Sequence, residues 1–223
     1  GQPVGSLADM TCFSFHPVKT VTGGEGGAIT TNDEKLYRHL MRLRTHGITR
    51  DPEEMVHPTD ALWYNEQVEL GFNYRMTDFQ AALLLSQLKK LPMFRARRKE
   101  IKKRYDEAFG KMPELILQKE IPESDTTWHL YVLHLNLENL NCDRRQFFDA
   151  LYAEHTCPQV HYLPVYWHSY YEKLGYKKGL CPNAEKYYNE VMSIPLYYGL
   201  TDDDVEDVIH AVKKVVAYYT KLK

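Results

Sequence analysis

A serine and a lysine share one short segment, Ser14-Phe15-His16-Pro17-Val18-Lys19, between an apolar run and the glycine-rich stretch Gly23-Gly24-Glu25-Gly26-Gly27. A lysine attacks a carbonyl only as its neutral amine. Such chemistry therefore needs a site that lowers the lysine pKa, by desolvation beneath a flat aromatic group or by a nearby cation. A hydroxyl close by could donate to a phosphate, and glycines would let the backbone pass close to a ring. On spacing alone, a lysine after a strand is ordinarily a solvated surface residue. The glycine run by itself reads as a tight turn between strands. It is no dinucleotide fingerprint, because Ile29 stands where the last glycine of G-x-G-x-x-G would fall, and no Walker lysine follows.

Other candidates lie further along. Arg75, in Asn73-Tyr74-Arg75, could hold a carboxylate or diphosphate as a bidentate fork, and a structural ion pair competes with that reading. Gln159-Val160-His161-Tyr162 reads as a strand, in which His161 and Tyr162 would point to opposite faces. His161 is read equally as a packed, hydrogen-bonded side chain or as a pocket residue. His129 is a further pocket candidate. His155, His161 and His168 match no zinc spacing and have no cysteine pair beside them, so no metal is expected.

Several elements must position these groups. Residues 10–15 have the pattern of a buried strand, and 28–31 read as a second. Asp33 can cap a helix reaching about residue 45, with Leu36, Leu40 and Leu43 on one face. Residues 46–71 carry Pro52 and Pro58 without a clear period, as a functional or disordered loop would. Thr77-x-x-Gln80 is a capping box for a helix that Pro92 should interrupt, followed by a strongly basic helix to about residue 109. A domain boundary is placed at Pro92, giving domains 1–92 and 93–223. The second reads as a small α+β unit, with strands at 130–135, 159–162 and 193–196 and helices at 144–154 and 183–192. Thr201 would cap a final helix, acidic at its start and basic at its end, striped by Val205, Val208, Ile209, Val212 and Val216.

Lys plus Arg number 28 against 30 Asp plus Glu, which removes the footprint of a general nucleic-acid binder. The basic run from Arg95 to Arg104 reads accordingly as a solvated helix face. The isolated cysteines Cys12, Cys142, Cys157 and Cys181 suit reduced thiols in a cytoplasmic protein. No apolar run reaches the length of a membrane span. The start, which lacks an initiator Met, reads as mid-fold and so as a fragment, with a processed or tag-scarred terminus as the alternative.

Three motifs in order change the weight of these readings: Ser14 to Thr20, Gly24-Glu25-Gly26-Gly27, and Leu70-Gly71-Phe72-Asn73-Tyr74-Arg75-Met76. Together they resemble the DegT/DnrJ/EryC1/StrS family of sugar aminotransferases, over essentially the whole chain. The resemblance implies an α/β, aspartate-aminotransferase-like (fold type I) transferase dependent on pyridoxal 5'-phosphate. This chain would be the C-terminal part of its large domain plus the small α+β domain. It implies that Lys19 condenses with the cofactor aldehyde and shuttles a proton, and that Ser14 bonds the cofactor phosphate. Asn73 would bond the phosphate of the neighbouring subunit's cofactor, in a homodimer with shared active sites. Gln159, Val160, His161 and Tyr162 would line the sugar-nucleotide pocket.

A narrower likeness rests on His16-Pro17, on 159–164 and on 182–188 followed by 193–196. It points to a UDP-linked 4-keto-6-deoxy sugar as acceptor and an amino acid, glutamate, as donor. The family's Asp partner for the pyridine nitrogen, its ring-stacking aromatic and its phosphate cup lie upstream of Gly1, so the chain is expected to need a missing N-terminal half. The rivals are a family member acting on another sugar nucleotide, and a non-catalytic dimerisation or binding module.

Overall fold

The computed structural model describes residues 1–221, and the chain divides into two compact units, 1–91 and 92–223. In the first, β1 (Thr11–Ser14) and β2 (Gly27–Thr30) form an antiparallel hairpin in which Thr11 faces Thr30 and Ser14 faces Gly27. Helix α1 (Glu34–Leu43) starts where Asp33 accepts hydrogen bonds from Lys35 N and Leu36 N. The long segment that follows contains a short antiparallel pair, β3 (Ile48–Thr49) with β4 (Glu66–Gln67). The sequence places a strand correctly at 11–14, yet it is not a buried one. Every residue of β2 is exposed, and β1 is half-buried on one face only. The physical reason is the lack of apolar cover: within 1–91 only Val21 and Leu84 are buried apolar side chains.

Helix α2 (Asp78–Phe109) begins at the Thr77/Gln80 capping box, in which Gln80 N donates to Thr77 Oγ1 (3.3 Å) and Thr77 N to Gln80 Oε1 (3.1 Å). Pro92 does not interrupt it, contrary to the sequence reading. Pro92 removes one N–H and so leaves one carbonyl a turn earlier without its partner. Residues 88–90 and 92–93 are exposed, so water can satisfy that carbonyl.

The second unit is a two-layer α+β structure. Strands β5 (Leu115–Ile116), β6 (Tyr131–Leu135) and β7 (Val191–Ile194) form an antiparallel sheet with β6 in the middle. Tyr131, Leu133 and Leu135 alternate into the core, as period two requires. Helices α3 (Arg144–Ala153) and α6 (Asp202–Tyr219) supply Phe147, Leu151, Val205 and Val212 to that core, while α4 (Ser169–Lys173) and α5 (Pro182–Glu190) bury no residue. Both α3 and α6 open with capping boxes, Asp143/Gln146 and Thr201/Asp204. The end of α6 carries no basic residue in its last turn, against expectation; its start is acidic, with Asp202, Asp203 and Asp204.

The basic side chains of α2 are engaged by acids. Arg97 and Arg104 share Asp202, Arg95 and Lys99 share Asp125, and Lys102 pairs with Asp106 (2.6 Å). Because the second unit has its own core, the isolated segment 92–223 should unfold cooperatively in urea. Phe147→Ala within it should lower the unfolding free energy by about 3–5 kcal/mol. A gradual transition in the unsubstituted segment would show that its core depends on residues 1–91.

Candidate active site

Lys19 is carried by a loop that closes on itself just after β1. Phe15 N donates to Gly26 O (2.9 Å), and Phe15 O accepts from Gly23 N (3.1 Å) and Thr22 Oγ1 (2.9 Å). Within the loop, Lys19 N donates to His16 O (2.9 Å), closing a turn whose second position is Pro17. Proline favours that position because its ring presets φ. Lys19 is half-buried, and its amine makes no hydrogen bond or ion pair among the described residues. Glu25, the loop's own carboxylate, faces His16 Nε2 at 3.7 Å. Ser14 is exposed, and its Oγ accepts from His16 N (3.4 Å), which leaves the hydroxyl proton free to donate to a ligand.

The glycine run lies in the connection between β1 and β2, as a turn between strands would, with positive φ at Gly24 and Gly26, and it also allows a close contact. A Cβ on Gly26, where φ is +144°, would stand 2.7 Å from Met76 Cε, and one on Gly23 would stand 3.3 Å from Gln80 O. Gln80 Nε2 also donates to Glu25 O (3.0 Å). The glycines therefore let the Lys19 loop lie against the start of α2.

Asn73 and Arg75 sit on the segment entering α2. That segment is tied to the end of α1: Phe72 N donates to Leu43 O (2.7 Å), His46 N to Phe72 O (2.8 Å) and Tyr74 N to Arg44 O (3.0 Å). Asn73 and Arg75 are both exposed, and Arg75 makes no ion pair among the described residues. Arg75 lines a largely apolar cavity of ≈ 1100 Å³ together with Phe13, Phe15, Ile29, Leu40 and Phe72. Lys19 and Ser14 do not line it.

The remaining candidates lie in the second unit. Gln159–Tyr162 is not a regular strand. Gln159 alone pairs, donating to Ser193 O (2.9 Å) and accepting from Ser193 N (2.7 Å). Pro158 and Pro164, which have no N–H to donate, flank the segment and limit the pairing. Val160 packs against the hydrophobic core. His161 Nδ1 lies 2.9 Å from Ser193 Oγ, and its ring meets that of Tyr162 edge-on at 4.7 Å, so the two do not occupy opposite strand faces. Tyr162 is exposed. His129, half-buried before β6, has its carbonyl bound by Arg98 Nη1 (3.1 Å).

Sequence reasoning missed a set of side chains around the long loop. Arg42 Nε donates to Glu69 Oε1 (2.7 Å) and Arg42 Nη1 to Glu54 Oε1 (2.7 Å), while His39 Nε2 lies 2.7 Å from Glu69 Oε2. No periodic signal could have found pairs so far apart in the chain.

Residues 1–213 match the sequence profile of the DegT/DnrJ/EryC1/StrS aminotransferase family. The chain belongs to that family. It is 40% identical over 215 residues to the spore coat polysaccharide biosynthesis protein SpsC of Bacillus subtilis, covering 96% of this chain and 55% of SpsC. It is 36% identical over 219 residues to the UDP-4-amino-4,6-dideoxy-N-acetyl-β-L-altrosamine transaminase of Campylobacter jejuni, covering 97% of this chain and 55% of that enzyme. The fold matches the PLP form of the sugar aminotransferase Spr1654 of Streptococcus pneumoniae with a TM-score of 0.85 at 30% identity, over 98% of this chain and 54% of that one. The chain thus has the α/β architecture of these fold type I transferases and spans about half the length of the relatives it matches.

The family is PLP-dependent. The donors at the end of β1 and on the Lys19 loop fit part of that group: an amine without a partner among the described residues for the aldehyde, and a hydroxyl proton for the phosphate.

Two outcomes follow from the loop geometry. A Cβ on Gly71 would stand 2.0 Å from Gly47 N. Gly71→Ala should therefore force these backbones apart and speed limited proteolysis between residues 44 and 74 by roughly tenfold or more, the effect of about 1.4 kcal/mol of local opening; unchanged cleavage would refute the tight crossing. Glu69 is held below the ordinary carboxylate range, first by the hydrogen bond from Arg42 and then by His39. A depressed carboxylate stabilises the fold above its ordinary pKa and loses that contribution as pH falls through the folded value. Protection of this loop should accordingly be flat above about pH 5 and decline in acid, and Glu69→Gln should flatten the acid arm.

Proposed function

We propose that this chain is the C-terminal part of an aminotransferase in which Lys19 holds pyridoxal 5'-phosphate and nitrogen passes to the C4 keto group of a UDP-linked 4-keto-6-deoxy-N-acetylhexosamine. The observation that carries the reading is Lys19 itself: half-buried and without an ion pair among the described residues, on a self-closed loop, in a member of this family. Support for the sugar comes from the altrosamine transaminase of Campylobacter jejuni, a relative over nearly the whole chain. Glutamate is the proposed donor, leaving as 2-oxoglutarate.

When bound, the cofactor supplies an aldehyde for amines and an electron sink for the carbon that loses its proton. Lys19 Nζ would hold the cofactor covalently and, once released, would take a proton from the cofactor carbon and deliver it to the sugar carbon that acquires nitrogen, which as a ketone carries none. The Ser14 hydroxyl donates to the phosphate. Asn73 donates its amide to the phosphate held by a second copy of the chain, which makes the working form a homodimer. Arg75 can fork onto the donor carboxylate or the UDP diphosphate. Gln159, His161, Tyr162 and His129 are assigned to the sugar nucleotide, and Val160 to packing behind them.

The exposed hairpin and the apolar cavity beside it support the need for further sheet, of the kind the other part of the relatives' length would provide. Amino transfer should be absent from the isolated chain and present once it is joined to such a part. With glutamate and a panel of UDP- and dTDP-linked keto sugars, the UDP-4-keto-6-deoxy-N-acetylhexosamine should be the preferred acceptor. Lys19→Ala should cut the rate by at least about a thousandfold. Preference for another sugar would overturn the substrate, and an active alanine variant would overturn the role of Lys19.

A further inference from the structure

We propose that Arg42 and Glu69, with His39 and Glu54, form a positioning clamp that fixes the backbone presenting Asn73. The proposal rests on the reading of Asn73 as a phosphate donor and adds the residues that hold it in place.

The segment from Glu69 to Tyr74 crosses residues 46–47 backbone against backbone. A Cβ on Gly47, where φ is +70°, would stand 1.9 Å from Glu69 O, so no side chain can separate the two strands of chain there. A crossing of this kind is usually pinned by apolar packing, but none of residues 44–74 is a buried apolar side chain. Directional bonds remain. On the backbone these are Val68 N to Gly47 O (2.9 Å) and the three bonds linking Phe72 and Tyr74 to the end of α1.

Apart from Gln67 Nε2, which donates to His46 O (3.0 Å), the side-chain bonds here centre on one guanidinium. Arg42 reaches Glu69 through Nε and Glu54 through Nη1, each at 2.7 Å, and its own carbonyl accepts from Thr45 N and Gly47 N, each at 2.9 Å. Glu69 uses its second oxygen on His39 (2.7 Å), and Glu54 uses its second oxygen on Thr49 Oγ1 (3.0 Å). Both carboxylates are thus bound through two oxygens each, with about a quarter of their side-chain surface or less exposed (26% and 20%). This is the geometry in which charge-assisted pairs add direction as well as attraction. Only a planar fork can bridge two carboxylates in this way, so a lysine at position 42 would keep the charge and lose the bridge.

A clamp that sets Asn73 should act on phosphate recognition and leave other contacts of the cofactor unchanged. The test uses the whole chain and two probes, pyridoxal 5'-phosphate and pyridoxal, each fixed with borohydride and quantified at Lys19 by peptide mapping. The ratio of their half-saturating concentrations reads the phosphate contacts alone. Asn73→Ala should lower the preference for the phosphorylated probe by roughly tenfold, as loss of one charge-assisted hydrogen bond would. Glu69→Gln and Arg42→Lys should lower it in the same direction with pyridoxal labelling unchanged. Amide exchange at Phe72 and Tyr74 should rise in both variants while that of β6 stays constant.

An effect of Asn73→Ala without an effect of Glu69→Gln and Arg42→Lys overturns the clamp alone. An inert Asn73→Ala overturns the Asn73 reading and the clamp with it. Absence of Lys19 labelling by either probe overturns the cofactor reading beneath both. A Glu69→Gln or Arg42→Lys variant that labels less with both probes in equal proportion has a structural role only, and unchanged exchange at Phe72 and Tyr74 overturns the clamp even where the variant is too unstable to label.

Discussion

The placement of Lys19 depends on the pair of bonds that closes its loop, Phe15 N to Gly26 O and Gly23 N to Phe15 O. They extend the β1–β2 hairpin by one step and then release the chain into a turn, so the lysine sits at a set distance beyond the last paired residues. A lysine with four rotatable bonds gains little from a rigid backbone unless the loop also lacks a competing carboxylate. Here the loop's carboxylate, Glu25, is turned towards His16. Gln80 and Met76 fix the far side of the loop, and the glycines at 23 and 26 allow that contact. A side chain at Gly26 would be strained at its φ of +144°, and one at Gly23 would press on Gln80 O.

The two units obtain their order by different means. Residues 92–221 bury aromatic and β-branched side chains between one sheet and the helices α2, α3 and α6. Each such side chain contributes about 1.5–3 kcal/mol. Residues 1–91 bury almost no apolar side chain, and their order comes from directional groups: loop closures, caps, glycine crossings and the Arg42 network. The candidate catalytic groups lie in this second kind of structure. Directional bonds fix geometry well but provide little net stability in water. The hairpin leaves β2 exposed and borders an apolar cavity of ≈ 1100 Å³.

Much of this was legible in the sequence wherever a short-range rule applied. Asp33, Thr77 and Thr201 each stand at the start of a helix, two of them with a reciprocal partner three residues on. The Val205 to Val216 stripe gave the core face of α6. Rules that depend on context failed. The sequence of β1 has the character of a buried strand, but burial requires a cover that these residues do not contain. A proline inside a helical pattern does not always end the helix, and at Pro92 the released carbonyl lies among exposed residues. Gln159–Tyr162 has a strand's composition, yet the prolines beside it confine pairing to one residue. The Lys19 motif was legible because its parts are contiguous, whereas the Arg42–Glu69 pair joins residues with no shared period.

The most direct measurement is a map of where pyridoxal 5'-phosphate becomes attached to the protein after borohydride reduction. One predominant site, Lys19, is expected, and it should be lost in Lys19→Ala without change in the far-ultraviolet circular dichroism. Labelling spread over exposed lysines such as Lys103 and Lys186, at the same level in the alanine variant, would contradict it.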